Sequence, residues 1–256
     1  MAAVATLLES RGAALALRRT LPKPGARAVS CRSLGGLRSL LERRLVDAVV
    51  VTPTPAVTEE LPALRAMHPF LPIVAYGPFR PDDGALLLAC RHAEVTALAV
   101  EGVDDAVVGD LVARCSMTAA RRLAMADAPR VLRLREPLQR RAWDYLLGAV
   151  ERPVRTADLA RHLQVSREHL SRQFGAGGAP NLKRVIDLTR IAAAAQLLRN
   201  PGFGIATTVR LLHFASSSHL SGTARRIADV RTAELGKLGP RGVLAAFVRG
   251  NTRVHS

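Results

Sequence analysis

The stretch Thr156–Phe174, TADLARHLQVSREHLSRQF, constrains the fold of this chain more than any other. It predicts two short amphipathic helices around a tight turn, with apolar side chains that face one shared core: Leu159, Leu163, Val165, Leu170 and Phe174. Ser166 is a good N-cap for the second helix, because its hydroxyl can accept a hydrogen bond from a free backbone N–H. The free face of that helix is polar and cationic, which suits a DNA major groove. The alternative is a pair of ordinary surface helices.

The positive charge of the chain is concentrated in its C-terminal half. The formal net charge is +16 over 256 residues. Residues 1–123 hold 15 Lys and Arg against 12 Asp and Glu, whereas residues 138–256 hold 19 against 7. A basic half attached to a nearly neutral half predicts a polyanionic partner for the basic half alone.

Length, hydropathy and cysteine content limit the protein class. A chain of 256 residues is long enough for two domains. It has no apolar run long enough to cross a bilayer, and we expect its N-terminal segment to belong to the fold. Cys31, Cys90 and Cys115 lie far apart without metal-ligand spacing, which predicts small buried apolar side chains in a protein of the reducing cytoplasm. We expect no metal, no cofactor and no membrane partner.

In the first half, short apolar runs alternate with helical patterns. The predicted strands are Ala13–Leu17, Ala28–Cys31, Ala48–Thr52, Ile73–Tyr76 and Ala97–Val100. The predicted helices are Leu34–Arg44, Glu59–Met67, Gly84–His92 and Val103–Thr118. Apolar strands that alternate with helices indicate a parallel sheet covered on both faces. We therefore predict a five-stranded, flavodoxin-like α/β domain over residues 1–123.

The segment Val46–Pro53, VDAVVVTP, resembles the third strand of response-regulator receiver domains. In that family the strand carries an upstream Asp and ends at the Asp that accepts a phosphoryl group. Asp47 matches the upstream residue, while Thr52 occupies the place of the acceptor. The resemblance implies a receiver-like domain, and a coincidental α/β domain is the alternative.

The chemistry of a receiver depends on residues that this sequence replaces. The acidic pair expected after the first strand corresponds to Arg18 and Arg19, and the expected Lys after the fifth strand falls near Glu101. Phosphotransfer needs a carboxylate nucleophile and a metal ion that offsets the phosphoryl charge. The sequence thus predicts a receiver-like domain that is not phosphorylated. A dinucleotide-binding site fits the sequence less well, because no GxGxxG motif follows the first strand.

Residues 124–137, AMADAPRVLRLREP, carry two prolines and alternate charged with apolar residues. Pro137 suits the start of a helix. We predict a linker here, and the alternative is a helical extension packed on the first domain.

The second half is a succession of predicted helices. A first helix, Leu138–Val150, precedes the opening stretch, and the glycine-rich segment 175–180 follows that stretch. A long helix is predicted at Leu182–Arg199, and a second pair of helices at Ile205–Leu212 and Ser216–Ile227.

This order of elements resembles the DNA-binding domain of the AraC/XylS family of transcription activators. The matching residues are T-x-x-L-A-x-x-L-x-V-S-x-x-x-L-S-R-x-F through Phe174, and RIAAAAQLLR at Arg190–Arg199. The resemblance implies an all-α domain over residues 138–235 with two helix-turn-helix units joined by a long linker helix. Residues 236–256 would form a basic C-terminal extension, with a short helix over Val243–Phe247.

The second unit departs from the family pattern. His213 stands where a turn Gly is expected, Gly222 where an Arg faces the bases, and Ala224 where Phe is usual. We expect this unit to fold, to read bases poorly and to bind phosphates through Arg225 and Arg226.

By resemblance, specific side chains of both units are candidates for DNA contact. The base-facing candidates are Glu168, Ser171 and Arg172 in the first unit and Ser217, Ser218 and Ser221 in the second. The phosphate-contacting candidates are Arg167, Lys183, Arg184, Arg225 and Arg226. Arg can bind guanine bidentately, and Glu can accept a hydrogen bond from cytosine N4. Phosphate contacts position the protein on the duplex but do not read the base sequence. The alternative for each is a solvated surface residue.

Together these features predict a sequence-specific, DNA-binding transcription regulator that is not an enzyme. Its partners would be double-stranded DNA, a second copy bound through the N-terminal domain, and RNA polymerase. The N-terminal domain would dimerise or receive a signal without phosphorylation. One alternative is an interaction module or anti-activator with decayed or non-specific DNA binding. Another is an enzyme with its site in the α/β half, which only the fold analogy supports.

Overall fold

The computed structural model describes residues 2–23 and 26–252, and the chain divides into two compact units. Unit 1 comprises Met1–Ala120 and Asn200–Gly202, and unit 2 comprises Arg121–Arg199 and Phe203–Ser256. Within the described ranges, no helix is both long and apolar enough to cross a membrane.

Unit 1 contains a five-stranded parallel sheet. The strands are β1 (Ala2–Leu7), β2 (Ala26–Ser30), β3 (Val46–Val51), β4 (Ile73–Gly77) and β5 (Ala97–Val100). Their spatial order is β2-β1-β3-β4-β5, which is the flavodoxin-like order. All residues of β3 and β4 are buried, as expected for strands covered by helices on both faces. The predicted α/β architecture is confirmed.

Five helices connect and follow these strands: α1 (Arg11–Thr20), α2 (Leu34–Arg43), α3 (Pro55–Met67), α4 (Gly84–His92) and α5 (Val108–Cys115). Hydroxyl side chains cap the first three, because Ser10, Ser33 and Thr54 each accept a hydrogen bond from a backbone N–H in the first turn. The sheet and these helices enclose a core that includes Val4, Leu17, Val50, Val74, Tyr76 and Val112.

The prediction of the first strand was wrong. Ala13–Leu17 lies inside α1, and the first strand is Ala2–Leu7, which pairs with both β2 and β3. Ala13 and Leu17 are one helical turn apart and both are buried, so this short apolar run is the inner face of a helix. A run of five apolar residues is compatible with either structure, and the Ser10 cap decides in favour of a helix.

Unit 2 is all-α among its described residues. The division of the chain at Ala120 falls within α6 (Met117–Ala124). The following helices are α7 (Ala128–Val131), α8 (Pro137–Gly148), α9 (Thr156–Leu163), α10 (Arg167–Gln173), α11 (Leu182–Leu197), α12 (Ile205–Leu211), α13 (Ser217–Ala228) and α14 (Leu235–Thr252). Two helix pairs, α9–α10 and α12–α13, are thus joined through the long α11, as the fold prediction stated.

The central helix of unit 2 is α11, which is buried along most of its length and packs against α8, α13 and α14. Arg121 is itself only 3% exposed. Its guanidinium donates to the Leu147 carbonyl oxygen, at 3.0 Å from Nε and 2.8 Å from Nη2, and to Gln196 Oε1 at 2.6 Å. This arginine therefore ties the end of α8 to α11.

The segment 124–137, predicted as a linker, lies in unit 2 and contributes to its core. Met125, Ala128, Leu132 and Leu134 are buried there. Their spacing was hidden by the intervening charged residues and prolines, which made the segment resemble a linker.

The predicted C-terminal extension forms the helix α14, which is kinked at Gly239 before Pro240. Val243, Leu244 and Phe247 are buried. The helix extends beyond the predicted short segment because it packs against α11 and α13. Residues 253–256 of the predicted extension lie outside the described part of the chain.

Candidate nucleic-acid interface

The turn of the first helix pair is made by a left-handed residue at the end of α9. Gln164 has φ +59° and ψ +42°. The Gln164 N–H donates to the Arg161 carbonyl at 3.2 Å, and the Val165 N–H to the Ala160 carbonyl at 3.0 Å. These two bonds define a Schellman motif, in which the left-handed position is usually Gly.

The second helix pair repeats this construction at the end of α12. His213 has φ +51°, and its N–H donates to the Arg210 carbonyl at 3.2 Å. The Phe214 N–H donates to the Val209 carbonyl at 2.9 Å. Both turns therefore hold a residue larger than glycine in the left-handed conformation, and His213 is the one that stands where the family pattern has a turn Gly.

The second helix of each pair begins in the same way. Ser166 Oγ accepts from the His169 N–H at 3.1 Å, and Ser216 Oγ accepts from the His219 N–H at 3.0 Å. A buried leucine follows each histidine. The shared run S-x-x-H-L, at residues 166–170 and 216–220, is an internal repeat that was visible in the sequence but was not predicted from it.

The linker helix α11 holds the second turn through Arg190. Its Nη2 donates to the Leu212 carbonyl at 3.1 Å and to the His213 carbonyl at 3.2 Å. Its guanidinium carbon lies 4.0 Å from the centroid of the Phe214 ring. Burial lowers the pKa of Arg190, and the carboxylate of Asp187 opposes that shift. Arg190 is thus a positioning residue between the linker and the second unit.

The second helix of the first pair, α10, presents an exposed polar face. Arg167, Glu168, Ser171 and Arg172 are all exposed, while Leu170 is fully buried on the opposite side. Arg167 Nε lies 3.6 Å from Glu168 Oε1, an exposed ion pair of small energy that a DNA contact can replace. The structure brings the three base-facing candidates of this unit onto one free surface.

The second helix of the second pair, α13, presents a surface of small residues. Ser217 and Ser218 are exposed, and Ser221 is half-buried. Gly222 is exposed, and a Cβ built on it would meet no atom within 4 Å. A side chain therefore has room at this position, and its absence leaves the middle of the helix without a long group that can reach a base.

The predicted phosphate contacts fall into two groups. Arg167, Lys183 and Arg225 are exposed. Arg184 is half-buried, with its guanidinium carbon 4.8 Å from the centroid of the Phe247 ring, and Arg226 Nη2 lies 2.9 Å from Asp187 Oδ2. The last two therefore have structural contacts within unit 2 that the sequence pattern did not reveal.

A separate cavity of about 460 Å³ lies in unit 1 at the carboxyl edge of the sheet. It is lined in part by Glu9, Ser10, Thr52 and Glu101. Because the first strand is Ala2–Leu7, the residues that follow it are Glu9 and Ser10, not the predicted arginine pair of α1. One carboxylate is thus retained at the place of the acidic pair.

The polar groups at this edge contact one another. Thr52 is 6% exposed and its Oγ1 accepts from the Glu9 N–H at 3.2 Å. Glu101 accepts from the Ser10 hydroxyl, so a carboxylate stands where a receiver has its lysine. Among the described residues, no cluster of three His, Cys, Asp or Glu could hold a metal ion.

Asp47, the residue that matches the receiver pattern, serves a helix terminus. Its Oδ1 accepts from both the N–H and the hydroxyl of Thr118, each at 2.9 Å. It is 7% exposed, so the carboxylate stabilises the first turn of α6 from the buried side of the sheet.

The three cysteines are free, and burial raises the pKa of each thiol. A raised pKa disfavours the thiolate, which is the reactive form of a cysteine.

No family model and no curated protein matches this chain. Among solved structures, crystal structures of full-length FixJ from B. japonicum are similar over 90% of this chain and 98% of that chain, with 14% identity and a TM-score of 0.39. At that TM-score the similarity supports no statement about the function of this protein.

Proposed function

We propose that this protein is a sequence-specific, DNA-binding transcription regulator of AraC/XylS type, and that it is not an enzyme. The observation that carries the proposal is the repeated unit: a left-handed turn residue, a serine N-cap and a short helix with a free polar face, present twice around α11. The surplus of Lys and Arg in the same half of the sequence supports a polyanionic partner.

The first unit would carry most of the sequence reading. In this proposal α10 enters the major groove with Glu168, Ser171 and Arg172 towards base edges. Arg172 would bind guanine, and Glu168 would accept from a cytosine amino group. Arg167 and Lys183 would contact phosphates on either side.

The second unit would add affinity more than specificity. Its free face offers Ser217, Ser218 and Ser221, whose hydroxyls accept or donate and so discriminate weakly. Arg225 is exposed in the last turn of α13 and is the stronger phosphate candidate of its pair, because Arg226 already has Asp187 as a partner.

The receiver-like domain would act as a dimerisation or input domain without phosphorylation. Its edge strand β5, the helix α4 and the turn after β5 expose apolar side chains: Leu87, Leu88, Leu98 and Val103 are 37%, 58%, 46% and 76% exposed. Contact between two copies would remove this apolar surface from water. A regulator of this kind would also contact RNA polymerase, and its free cysteines are consistent with the reducing cytoplasm.

The test begins with genome-wide mapping of the DNA bound by the full chain in its native host. The enriched sequence is then used in mobility shifts with wild type, Arg172→Ala and Arg161→Ala. Arg161 is an exposed arginine of α9 paired with Asp158 at 3.3 Å, and it serves as the matched control. We expect Arg172→Ala to weaken specific binding by roughly 5- to 150-fold, in line with about 1–3 kcal/mol for one bidentate base contact, and Arg161→Ala to bind like wild type. Failure of the wild-type chain to bind DNA at low salt would refute the proposal.

One observation favours a second candidate, an interaction module whose DNA reading has decayed. Gly222 leaves the second recognition helix without a long base-facing side chain, and Arg226 forms an ion pair with Asp187 within the fold. Binding that is independent of sequence in the same mobility shifts would support this candidate over the first.

A further inference from the structure

We propose that the DNA interface starts before the double helix-turn-helix domain, with Arg133 as a contact to the DNA phosphate backbone. This inference rests on the proposed DNA binding. The two observations that carry it are the fold of residues 128–136 into unit 2 and the position of the Arg133 guanidinium on the loop that follows α10.

Arg133 is fixed in place by the chain around it. The helix α7 ends in a Schellman motif, in which the Arg133 N–H donates to the Arg130 carbonyl at 3.2 Å and the Leu134 N–H to the Pro129 carbonyl at 2.8 Å. Arg133 has φ +54°. Leu132 and Leu134 on either side of it are buried, whereas Arg133 is exposed. The backbone thus directs a cationic side chain outward between two core residues.

The guanidinium lies against the loop between the first recognition helix and the linker helix. A Cβ built on Gly178 would lie 2.8 Å from Arg133 Nη1 and 3.4 Å from its Cδ. Gly178 has φ +80°, so a glycine both adopts this backbone conformation and leaves room for the arginine. Arg133 therefore lies against the loop between the end of α10 and the start of α11, and the first turn of α11 carries the exposed Lys183.

Hydrogen bonds connect the segment that carries Arg133 to α8 and to the end of α10. Gln139, which is 2% exposed, donates from Nε2 to the Gln173 carbonyl at the end of α10, at 2.7 Å. Its Oε1 accepts from the Glu136 N–H at 3.0 Å, and Arg140 Nε donates to the Leu134 carbonyl at 3.1 Å. The segment that carries Arg133 is consequently held close to the end of α10 by these hydrogen bonds and is not a flexible linker.

The charge of Arg133 is available to a ligand. No carboxylate of the described residues forms an ion pair with it, whereas its neighbour Arg130 lies 3.7 Å from Asp127. A free, exposed guanidinium beside a DNA-reading helix is suited to a phosphate oxygen, which contributes affinity and register without reading sequence.

The experiment measures binding of the full chain to a fluorescent 30-base-pair duplex of random sequence at a series of salt concentrations. Arg133→Gly is the main variant, because glycine suits the left-handed position and the variant is expected to fold at least as stably as wild type. We expect the slope of log affinity against log salt to fall in magnitude by about 0.9, the value for one lost phosphate contact. Arg133→Lys should keep most of the slope.

Arg130→Gln is the matched control, since it removes the same charge from the same segment at a residue that is already paired. We expect its slope to stay close to that of wild type. Equal slopes for wild type and Arg133→Gly, or equal losses in Arg133→Gly and Arg130→Gln, would overturn the inference while DNA binding by the protein stands. Absence of binding by the wild type at low salt would instead refute the proposed function itself.

Discussion

Asp187 and Arg226 form an ion pair between α11 and α13, with Oδ2 and Nη2 2.9 Å apart. The Asp187 side chain is 12% exposed, whereas that of Arg226 is 52% exposed. Arg226 Nη2 also lies 3.3 Å from Thr223 Oγ1. A mostly buried carboxylate is thus paired with an arginine that the sequence pattern assigned to DNA, and the same carboxylate also opposes the lowering of the pKa of Arg190 by burial.

We predict that Arg226 and Arg225 have separable roles. Arg226→Gln removes the partner of a mostly buried carboxylate and should lower the free energy of unfolding of unit 2 by about 1–2 kcal/mol. Arg225→Gln should change stability by less than about 0.5 kcal/mol but weaken DNA binding. Trp143 is the only tryptophan and is buried in unit 2, so its fluorescence during urea unfolding reports this unit directly. Equal stability of the two variants would contradict the assignment.

Replacement of Arg190 by Lys should destabilise unit 2 although the charge is kept. Lysine cannot donate to two carbonyls from one planar group and cannot stack on Phe214 in the same way. We expect a loss of about 1–2 kcal/mol, from a cation–π contact and a hydrogen bond. The Trp143 unfolding transition measures it, and a transition that matches wild type would show that Arg190 does not hold the second turn.

Glycine at either turn should stabilise the protein. The left-handed conformation costs a residue with a Cβ about 1–2 kcal/mol. Glycine avoids this cost, but its greater freedom in the unfolded chain cancels part of the gain in stability. We expect Gln164→Gly and His213→Gly each to gain about 0.5–1 kcal/mol by the same fluorescence assay. A loss of stability in His213→Gly would mean that its imidazole makes a contact whose energy exceeds the backbone strain.

Unit 1 should lose stability as the pH falls below about 6.5. Burial lowers the pKa of His68, and the positive charge of Arg65 lowers it further. The folded state therefore binds this proton less readily than the unfolded state, whose pKa is near 6.5. The stability contribution is complete above the unfolded pKa and is lost as the pH falls through the folded pKa.

Calorimetry of the full chain at pH 7.5 and 5.0 tests this expectation, with His68→Gln as the variant that cannot titrate. The wild type should lose more stability than the variant between the two pH values. The Trp143 transition serves as the internal reference for unit 2. An identical pH dependence of both proteins would show that other groups control the acid stability of unit 1.

The receiver-like domain should not accept a phosphoryl group. Acetyl phosphate should give no acid-labile phosphate on wild type, because Thr52 is not a carboxylate and Glu101 adds a negative charge where a receiver has a positive one. The variant Thr52→Asp should also stay unlabelled, because the negative charge of Glu101 remains. Mass spectrometry of the intact chain measures this directly, and an added 80 Da on either protein would contradict a silent domain.

The hydrophobic pattern was sufficient for most of the fold. The apolar strands β3 and β4 and the amphipathic α9 and α10 were predictable because burial imposes a period on the sequence. The first strand was misplaced because a short apolar run suits both a strand and a buried helix face, and only the capping hydroxyl of Ser10 separates them. Residues 124–137 were read as a linker because their four core positions are separated by charged residues and prolines.

The candidate site was predictable only in part. Exposure of Glu168, Ser171 and Arg172 follows from helical periodicity, since Leu170 must face the core. The partners of Arg226 and Arg184, which are Asp187 and the ring of Phe247, come from other helices at long separation in the sequence. No local pattern distinguishes an arginine that pairs within the fold from one that faces a ligand.

The open surface at Gly222 makes α13 a suitable helix for testing the proposed base reading by gain of function. Because no atom lies within 4 Å of a Cβ at this position, the neighbouring helices leave room for the first atom of a side chain there. Alanine should also raise helix stability, by up to about 1 kcal/mol. A library that varies this one position without proline, selected against pools of random duplex, would measure how far a single side chain on α13 changes the base preference expected from the proposed function.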